Sequence, residues 1–541
     1  MRGSPTGGSM PMPTQIEPLR REEREPELAP GFPLRVGVVD MGSNAIRLMA
    51  AEFIAPATWT ELVNERIPVR LGHRVYQTGR LEDDAIGAAV EAMARFADIL
   101  RQLGIEHYRA VATSAVRESR NGRKLVERVR RETGLSLEVI SGVEEARLVH
   151  WAARHRLKLG ADPWAMADLG GGSLEFAVVD ADGVLASESH TIGSVRLLEQ
   201  FERVEKLGPF HKLIEDYLAG LRLISLARSD GVGGFYATGG NMEDLAVLGD
   251  APADEAGVRV LSVSALEEII DELVGLTVKE RIEVLGLRPD RADVILPAAI
   301  VYARMAHLIG RDEIHVPRVG VKEGTMLDLV EGVTQRTDHS ARHERDVRAG
   351  AVAFGRRFMF DEAHGVHVSR LAEQIFDGLT ELHELSPRDR EILQAAAVLH
   401  DIGQQIGYQK HHKHSYYLIS DAELPGLSPE EVELVANVAR YHRRASPSTD
   451  HDHYAALGKK DRKRVKRLAP LLRLADALDR EHLQKVRIVG VRRVDEDEVV
   501  LHVEGEGDLT IELWALGRKA RLFERIYDRK VRTDDRTDRA S

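Results

Sequence analysis

The 541-residue sequence predicts two α/β lobes, a helical domain and a small C-terminal domain that contains β-strands. One pattern occurs twice: an apolar strand ends in Asp and is followed by a turn of small residues and a second apolar strand. The two copies are VGVVDMGSNAIRLMAAEF (36–53) and AMADLGGGSLEFAVVDAD (165–182). Strands and helices alternate between residues 34 and 333, whereas helix follows helix between residues 347 and 482.

The predicted units differ in composition. Residues 1–33 are rich in Pro, Glu and Arg without apolar periodicity, which is typical of a disordered leader or tag. The polar stretch 334–346 separates the lobes from the helices, and alternating apolar and polar residues up to Trp514 predict strands near the C-terminus. The expected units are residues 1–33 (leader), 34–158 (lobe I), 159–333 (lobe II), 340–484 (helical domain) and 485–541 (small α+β domain).

Composition argues against several classes of protein. The net charge of −12 argues against nucleic-acid binding, so a polyanionic substrate needs a local basic surface. No run approaches the ~18 apolar residues of a membrane span, and no apolar secretory segment is visible at the N-terminus. Because the sequence has no cysteine, it has neither disulfides nor thiolate metal ligands. We expect a cytoplasmic protein that does not contact membranes.

Three glycine turns, at residues 40–44, 168–173 and 238–241, predict a phosphate site. Small residues let backbone amides approach phosphate oxygens closely, and an Asp at a strand end can hold a metal or orient a water. Either copy of the duplicated pattern alone fits an ordinary β-hairpin. The two copies together indicate two facing lobes that bind one phosphorylated ligand between them. The sequence contains neither a P-loop nor a complete GxGxxG motif.

Five motifs follow one another in the first 333 residues: DMGSNAIRL, ATSAVRESRN, ISGVEEARL, DLGGGSLEF and ATGGN. With these motifs the chain resembles the exopolyphosphatase/guanosine-pentaphosphate phosphohydrolase family from Leu34 to about Val333. That family has the two-lobed, actin-like α/β fold of the sugar kinase/Hsp70/actin superfamily. The resemblance therefore implies two actin-like lobes here and hydrolysis of a phosphoanhydride.

The resemblance also implies a role for particular residues. Glu145 would be the general base that activates water, and Arg117 would neutralise the terminal phosphoryl group. Asp40, Asp168 and Glu175 would flank the phosphates and hold Mg²⁺, while binding of K⁺ stays open. The implied phosphate ligands are Gly42, Ser43, Asn44, Gly170, Gly171, Gly172, Ser173, Gly239 and Gly240. Without the motifs, Glu145 would be interpreted as an exposed acid in the first turn of a helix, where the helix dipole favours it. Arg117 would be interpreted as a surface residue that forms a salt bridge with Glu118 or nearby acids.

Histidines in the helical region form a second pattern. The segment AAAVLHDIG (395–403) is an apolar helix that ends in His-Asp and then Gly. Together with an earlier His and a later Asp, it resembles the HD-domain metal-dependent phosphohydrolases. The resemblance implies a second divalent metal at His364, His400, Asp401 and Asp476. The alternative is a vestigial fold whose histidines contact anions or solvent.

A basic stretch, GKKDRKRVKRLAPLLR (458–473), stands out in a net-acidic chain. A charge run is usually a solvated face. The functional interpretation is a track that holds the distal phosphates of a polyphosphate chain through many weak contacts. The predicted tail contacts are Arg440, His442, Arg443, Arg444, Lys459, Lys460, Lys463 and Arg464.

The leading prediction from these patterns is a Mg²⁺-dependent exopolyphosphatase that releases orthophosphate from inorganic polyphosphate. A guanosine-pentaphosphate 5′-phosphohydrolase, alone or as a second activity, is the alternative, with guanosine penta- or tetraphosphate as the partner. Two other classes stay open: an ATP-dependent kinase of the same superfamily, and a non-catalytic sensor of polyphosphate or alarmone. The resemblance alone implies a homodimer.

Overall fold

The computed structural model describes residues 31–181, 183–204, 207–229, 231–334, 337–493 and 497–535. The predicted disordered leader therefore lies outside the described residues, apart from its last three positions. Within the described ranges no helix is both long and apolar enough to cross a membrane.

Lobe I is built on a five-stranded sheet. Its elements are β1 (Leu34–Met41), β2 (Ala45–Ala55), β3 (Thr58–Pro68), α1 (Val75–Thr78), α2 (Asp83–Gln102), β4 (His107–Ala112), α3 (Ser114–Arg117), α4 (Gly122–Thr133), β5 (Leu137–Val139) and α5 (Gly142–Ala153). The strand order is β3-β2-β1-β4-β5. The first three strands are antiparallel, and β4 and β5 run parallel to β1.

Lobe II repeats this arrangement in a six-stranded sheet. Its elements are β6 (Trp164–Leu169), β7 (Leu174–Val179), β8 (Val184–His190), α6 (Ser194–Val204), α7 (Leu207–Ala219), α8 (Arg222–Ser229), β9 (Gly234–Thr238), α9 (Gly240–Leu248), β10 (Arg259–Ser262), α10 (Val263–Gly275), α11 (Val278–Glu283), α12 (Pro289–Ala292), α13 (Ile295–Ile309), β11 (Glu313–Val316) and α14 (Val321–Val333). The order is β10-β11-β9-β6-β7-β8, with β6-β7-β8 antiparallel and β9 parallel to β6. The two-lobed α/β prediction is confirmed.

A shared apolar core joins the two lobes. Val38 of β1, Met166 of β6, Leu148 of α5 and Met326 of α14 belong to one buried cluster. All twelve residues of α5 are buried. This helix therefore has little freedom to move relative to either sheet, and any side chain in its first turn is held firmly.

The helical domain follows, as the sequence predicts. Its elements are α15 (Thr337–Arg356), α16 (Glu362–Gly378), α17 (Thr380–His383), α18 (Pro387–Leu399), a 3-10 helix (Ile402–Gln405), α19 (His411–Ser420), α20 (Pro429–Arg440), α21 (Asp452–Ala455) and α22 (Lys459–Ala477). The interpretation of 334–346 as a separating stretch is wrong from Thr337 onward, because α15 begins there. Polar residues of this stretch form ion pairs: Glu344 pairs with Arg390, and Asp346 lies 3.7 Å from Arg147 of α5.

The C-terminal part contains β12 (Val486–Arg493), β13 (Glu498–Gly505), α23 (Thr510–Lys519), α24 (Arg521–Tyr527) and β14 (Lys530–Asp535). Extension of the predicted strands to Trp514 is wrong, because that residue lies in α23. Glu512, Ala515 and Leu516 are the buried residues of α23, a helical spacing that the short alternation concealed. Phe523 of α24 and Leu501 of β13 share a core cluster with Leu468 of α22, so this segment packs directly on the helical domain.

Replacement of Phe523 by Ala tests this shared core. The side chain is fully buried, so its loss should lower the free energy of unfolding by about 3–5 kcal/mol. Urea unfolding followed by far-UV circular dichroism measures this change. Trp514→Ala is the matched control, because that ring is 60% exposed. This substitution should lower the free energy of unfolding by no more than about 0.5 kcal/mol. Equal effects of the two changes would contradict the packing.

Candidate active site between the lobes

The two duplicated hairpins end in turns of the same form. The amide of Gly42 donates to the carbonyl of Ala45 at 3.1 Å, and the amide of Gly170 donates to the carbonyl of Ser173 at 2.9 Å. These two amides, which were predicted to donate hydrogen bonds to phosphate, therefore donate to carbonyls of their own turns. Four following amides have no acceptor in the part of the chain that the structure describes: Ser43, Asn44, Gly171 and Gly172. Such free amides suit an anionic ligand.

The turn of lobe II lies directly against lobe I. A Cβ atom on Gly172 would lie 1.8 Å from the Tyr76 hydroxyl, and one on Gly171 would lie 3.0 Å from the Ser43 Cβ. The Ser43 hydroxyl in turn hydrogen-bonds with those of Tyr76 at 2.6 Å and Ser114 at 3.0 Å. Only glycine permits this approach of the two backbones.

Three carboxylates meet where the lobes touch. Glu145, Asp168 and Glu175 each place one oxygen within 4.8 Å of the others, and all three side chains are buried. Asp168 ends the apolar run of β6 and lies opposite Glu175 of β7 in the ladder. Glu145 lies in the first turn of α5, where the Ser141 hydroxyl caps the helix by accepting from the Glu144 amide at 3.1 Å.

Burial and mutual repulsion govern the charge of this cluster. Burial, reinforced by the charge of Glu175, raises the pKa of Glu145 well above its ordinary value. Burial likewise raises the pKa of Glu175 to about 8 and that of Asp168 to about 6. Arg117 opposes the shifts of Glu145 and Glu175, because it lies 3.4 Å from Glu145 and 3.7 Å from Glu175. The cluster therefore keeps a proton at neutral pH unless a further cation joins it.

The donor set fits a hard divalent cation. All three residues offer carboxylate oxygens, which are the ligands that Mg²⁺ prefers. The second oxygen of Glu175, Oε2, is buried and has no hydrogen-bond partner among the described residues. A buried acceptor without a donor is costly, and a cation would satisfy it.

Asp40, the lobe I counterpart of Asp168, lies outside this group of three. It faces Arg47 across the β1–β2 ladder and pairs with it at 3.2 Å. The position that holds Glu175 in lobe II thus holds an arginine in lobe I. The repeated hairpins are alike in backbone and opposite in charge at this one position.

The remaining predicted phosphate ligands have other neighbours. The Asn44 side chain donates to the backbone carbonyl and carboxylate of Asp290 in lobe II, at 3.1 and 3.2 Å. Gly239 has φ +98°, and a Cβ there would lie 3.2 Å from the Asp168 carboxylate. A Cβ on Gly240 would lie 2.0 Å from the Arg291 guanidinium. These glycines therefore bring backbone close to the site.

Glu144 has a structural role that the sequence analysis missed. Arg147 donates two hydrogen bonds to it, at 2.8 and 2.9 Å, and Arg109 lies 3.4 Å away. Its carboxylate also accepts the Gly426 amide of the helical domain at 3.0 Å. Burial opposes ionisation, but Arg147 and Arg109 outweigh it and lower the pKa of Glu144 to about 2. The spacing of Glu144 and Arg147 in the sequence signals the pair, whereas nothing there signals Gly426.

Arg196 of α6 is a further residue near the site that the sequence did not predict. Its guanidinium donates to the Gly172 carbonyl at 3.1 Å and lies 4.1 Å over the ring of Tyr76. It pairs with Glu118, the residue that the sequence analysis considered as a partner for Arg117. Arg196 thereby fixes the lobe II turn against lobe I.

A cavity of about 1100 Å³ opens beside Arg117, between lobe II and the helical domain. Ser189, which donates to the Glu175 carboxylate at 3.0 Å, lies in its wall. The helical domain contributes aromatic and cationic walls: Phe354, Arg357, Phe358 and Tyr417. The cavity therefore offers apolar as well as charged surface next to the cluster.

The predicted tail contacts do not form one exposed track. Arg440 and His442 are buried, and Arg464 is paired with Asp389 at 2.6 Å and with Asp461 at 3.1 Å. Arg443 lies against the ring of His411. The members that remain exposed are Arg444, Lys459, Lys460 and Lys463. None of the eight lines the cavity beside Arg117.

The four predicted ligands of the helical domain do come together. His364, His400, Asp401 and Asp476 form a buried group with two further histidines, His411 and His442. The Nε2 atoms of His364 and His400 lie 3.3 Å apart, and so do those of His411 and His442.

Sequence comparisons place these features among known proteins. The profile of the Ppx/GppA phosphatase family matches residues 54–332, and that of Ppx/GppA phosphatase domain III matches residues 347–509. The first match runs from the end of β2 in lobe I through lobe II, and the second covers most of the helical domain and continues past β13.

Two curated relatives are similar along most of their length, and both are named guanosine-5′-triphosphate,3′-diphosphate pyrophosphatase. The Photobacterium profundum protein is 24% identical over 455 residues, or 83% of this chain and 87% of the relative. The Vibrio vulnificus protein is 25% identical over 472 residues, or 86% of this chain and 90% of the relative. Among solved structures, an exopolyphosphatase from Cytophaga hutchinsonii is 25% identical with a TM-score of 0.51, covering 55% of this chain and 98% of its own.

The pKa of Glu144 leads to a test of stability against pH. Because the folded state lowers this pKa from 4.5 to about 2, ionised Glu144 stabilises the fold above about pH 4.5. That contribution is lost as the pH falls toward about 2. Glu144→Gln should therefore lower the free energy of unfolding at pH 7 by on the order of 3 kcal/mol.

Urea unfolding at several pH values between 7 and 3 measures this effect. The difference between wild type and Glu144→Gln should shrink as the solution is acidified below pH 4.5. Glu127→Gln, an exposed change on α4, should leave stability unchanged throughout. A difference that is constant with pH would contradict the assigned ionisation.

Proposed function

The chain belongs to the Ppx/GppA phosphatase family, and on that premise we propose that Glu145 is the general base of a phosphoanhydride hydrolase. The observation that carries the proposal is the buried group of Glu145, Asp168 and Glu175 beside Arg117. The turn amides without an acceptor among the described residues come from both lobes, and the two turns lie close together. Positioning, charge neutralisation and one oriented water are what such a reaction requires.

Each part of the cleft has a distinct task in this proposal. Glu145 takes a proton from the attacking water, a contribution of about 10²–10⁴ in rate. Burial beside Glu175 makes it a stronger base than a solvated glutamate, while Arg117 keeps the ionised form accessible. The amides of Ser43, Asn44, Gly171 and Gly172 hold phosphoryl oxygens. The bond from phosphorus to the bridging oxygen breaks, and the shortened chain leaves with that oxygen.

Asp168 and Glu175 are the residues that would hold Mg²⁺. When bound, this ion supplies charge neutralisation of the phosphoryl group. Glu175 Oε2, buried and without a donor among the described residues, supports this assignment. Asp40 is already paired with Arg47, so its part in the proposal is to keep Arg47 in place.

We infer guanosine 5′-triphosphate 3′-diphosphate as the preferred substrate. The cavity beside Arg117 has aromatic walls from Phe354, Phe358 and Tyr417 together with Arg357. A nucleoside has an apolar face for such walls, whereas a polyphosphate chain has none. Both curated relatives bear the name of this activity, and they align with 83% and 86% of this chain.

Inorganic polyphosphate is the second candidate. The Cytophaga hutchinsonii structure is named an exopolyphosphatase, and Lys459, Lys460 and Lys463 remain exposed at the start of α22. The paired or buried state of Arg440, His442 and Arg464 weakens the continuous track on which the sequence-based preference depended.

Phosphate release by Glu145→Gln tests the base. With Mg²⁺ and either substrate, the change should lower kcat by about 10²–10⁴ while the protein stays folded. Glu127→Gln, exposed on the neighbouring α4, is the control and should match wild type. Release that survives Glu145→Gln would overturn the assigned base. A wild type that binds both compounds without releasing phosphate would instead favour the sensor class.

The identity of the substrate tail is tested at Arg357. Arg357→Gln removes a cation from the cavity wall and should raise KM for guanosine 5′-triphosphate 3′-diphosphate by about 5–10-fold. KM for long-chain polyphosphate should change little. Arg345→Gln, an exposed change on α15, serves as the matched control. Equal effects on both substrates would contradict a nucleotide-specific cavity.

A further inference from the structure

A second cavity, of about 510 Å³, lies between α16 of the helical domain and the start of β12. Among the described residues, its wall contains none from either lobe, so the cavity is separate from the cleft. The wall also contains no member of the buried histidine and aspartate group. Ligand cavities typically measure about 300–1,000 Å³, so this one has room for a molecule of mononucleotide size.

The sequence of α16 builds one wall of this cavity. Helical spacing places Val366, His367 and Arg370 on one stripe of the helix. Near the C-terminal end of α16, the strand β12 packs closely, because a Cβ atom on Gly378 would lie 2.4 Å from the Cβ of Val491. The helix and the strand therefore touch at that end and leave space beside the stripe.

Positively charged side chains reach the cavity from both elements. Arg370 comes from α16 and Arg487 from β12. Arg370 is exposed and forms no ion pair with a carboxylate in the part of the chain that the structure describes. Arg487 pairs with Glu506, but both side chains are mostly exposed, at 65% and 70%. An exposed pair of this kind contributes little stability, so Arg487 is available to a ligand.

The carboxylates near the cavity are already engaged. Glu362, which belongs to the wall, accepts two hydrogen bonds from Arg356 at 2.7 Å each. Asp479, whose charge acts on His367, accepts from the backbone amide and the side chain of Gln484 at 2.7 and 3.2 Å. Neither carboxylate pairs with an arginine of the cavity wall, so the positive charge of that wall favours an anion.

His367 places an unsatisfied polar atom in the same wall. Its Nε2 is buried and has no hydrogen-bond partner among the described residues, and its ring lines the cavity. A buried ring nitrogen without a partner costs free energy, whether it carries the proton or the lone pair. A ligand group that reaches this nitrogen would remove the cost.

The loop that enters β12 has an unusual backbone conformation. His482 and Gln484, neither of them glycine, have φ values of +59° and +50°. Non-glycine residues in this left-handed region are strained, and such residues concentrate at ligand sites. Gln484 lines the cavity and is held by its two hydrogen bonds to Asp479. This part of the wall is therefore fixed before a ligand arrives, which lowers the entropy cost of binding.

The rest of the wall includes apolar side chains. Ala363, Val366 and Leu371 belong to it, and Leu371 is also part of the buried core of the domain. A free inorganic ion has no apolar surface for these side chains, whereas a molecule with a carbon skeleton does. The cavity thus combines guanidinium groups with apolar surface.

We propose that this cavity binds a small phosphorylated molecule of about mononucleotide size. Its phosphate pairs with Arg370 and Arg487, because planar guanidinium groups match the geometry of phosphate oxygens. Its carbon skeleton lies on Val366 and Leu371, and one of its polar groups meets Nε2 of His367. The site is independent of the chemistry proposed for the cleft, because no residue of the cleft takes part.

Titration of the full chain with adenosine 5′-monophosphate in buffer with EDTA tests the site. Calorimetry measures Kd, and hydrogen–deuterium exchange reads the peptides that cover residues 362–374 and 482–488. Wild type should bind the nucleotide with slower exchange in both peptides. Arg370→Gln should raise Kd by about 5–10-fold and remove most of that slowing. Arg521→Gln removes the same charge from an exposed position of α24, and it should match wild type.

The two peptides separate this site from the cleft, since a nucleotide bound only between the lobes leaves their exchange unchanged. Unchanged exchange in both peptides with the nucleotide in large excess would overturn the site. Adenosine that binds there as tightly as its monophosphate would overturn the phosphate contact. Inorganic phosphate that binds there as tightly would overturn the apolar contact.

His367→Phe distinguishes a ligand contact from a structural role. The phenyl ring fills similar space without the unpartnered nitrogen, so the midpoint of thermal unfolding of the unliganded protein should not fall. The Kd for adenosine 5′-monophosphate should nevertheless rise by about 3–5-fold, because the polar contact is lost. A lower midpoint with an unchanged Kd would show that His367 only supports the fold, and would overturn its assignment as a ligand contact.

Discussion

Burial of three carboxylates at the contact between the lobes is the constraint on which the rest of the cleft depends. Removing Glu145, Asp168 and Glu175 from water raises the pKa of each, and such groups persist only when the surroundings hold them in place. The fully buried α5 provides that support on one side and the β6–β7 hairpin on the other. Gly172 makes the arrangement possible by letting the hairpin turn lie against Tyr76.

Adjacent glutamates in the first turn of α5 illustrate how environment assigns roles. Glu144 faces Arg147 and Arg109, which lower its pKa to about 2, while Glu145 is buried beside Glu175 and Asp168, which raises its pKa. The first residue is thus ionised at neutral pH, and it also accepts the Gly426 amide of the helical domain. The second is a carboxyl group whose raised pKa favours its protonated form. The helical domain is thereby connected to the cleft through one helical turn.

Much of this arrangement follows from the sequence, because the informative signals are local. The duplicated Asp and glycine turns predicted both hairpins, and the change from alternating strands and helices to consecutive helices predicted the helical domain beyond Val347. The failures involve tertiary packing. Residues around Trp514 alternate over too short a stretch to separate strand from helix, and Arg464 pairs with Asp389, which is distant in sequence. The contrast between Arg47 and Glu175 was visible in the aligned repeats, but its effect on Asp40 required the ladder register.

The two buried clusters differ in chemistry. The cleft offers only carboxylate oxygens, which suit Mg²⁺, whereas the helical domain offers imidazoles together with carboxylates, which suit transition metals. In the cleft, burial raises the pKa of Glu145, Asp168 and Glu175, and repulsion among the carboxylates adds to the effect. In the helical domain, burial lowers the pKa of His400, but Asp401 and Asp476 outweigh it and raise this pKa to about 9. Both clusters therefore favour an added proton, the first on a carboxylate and the second on an imidazole.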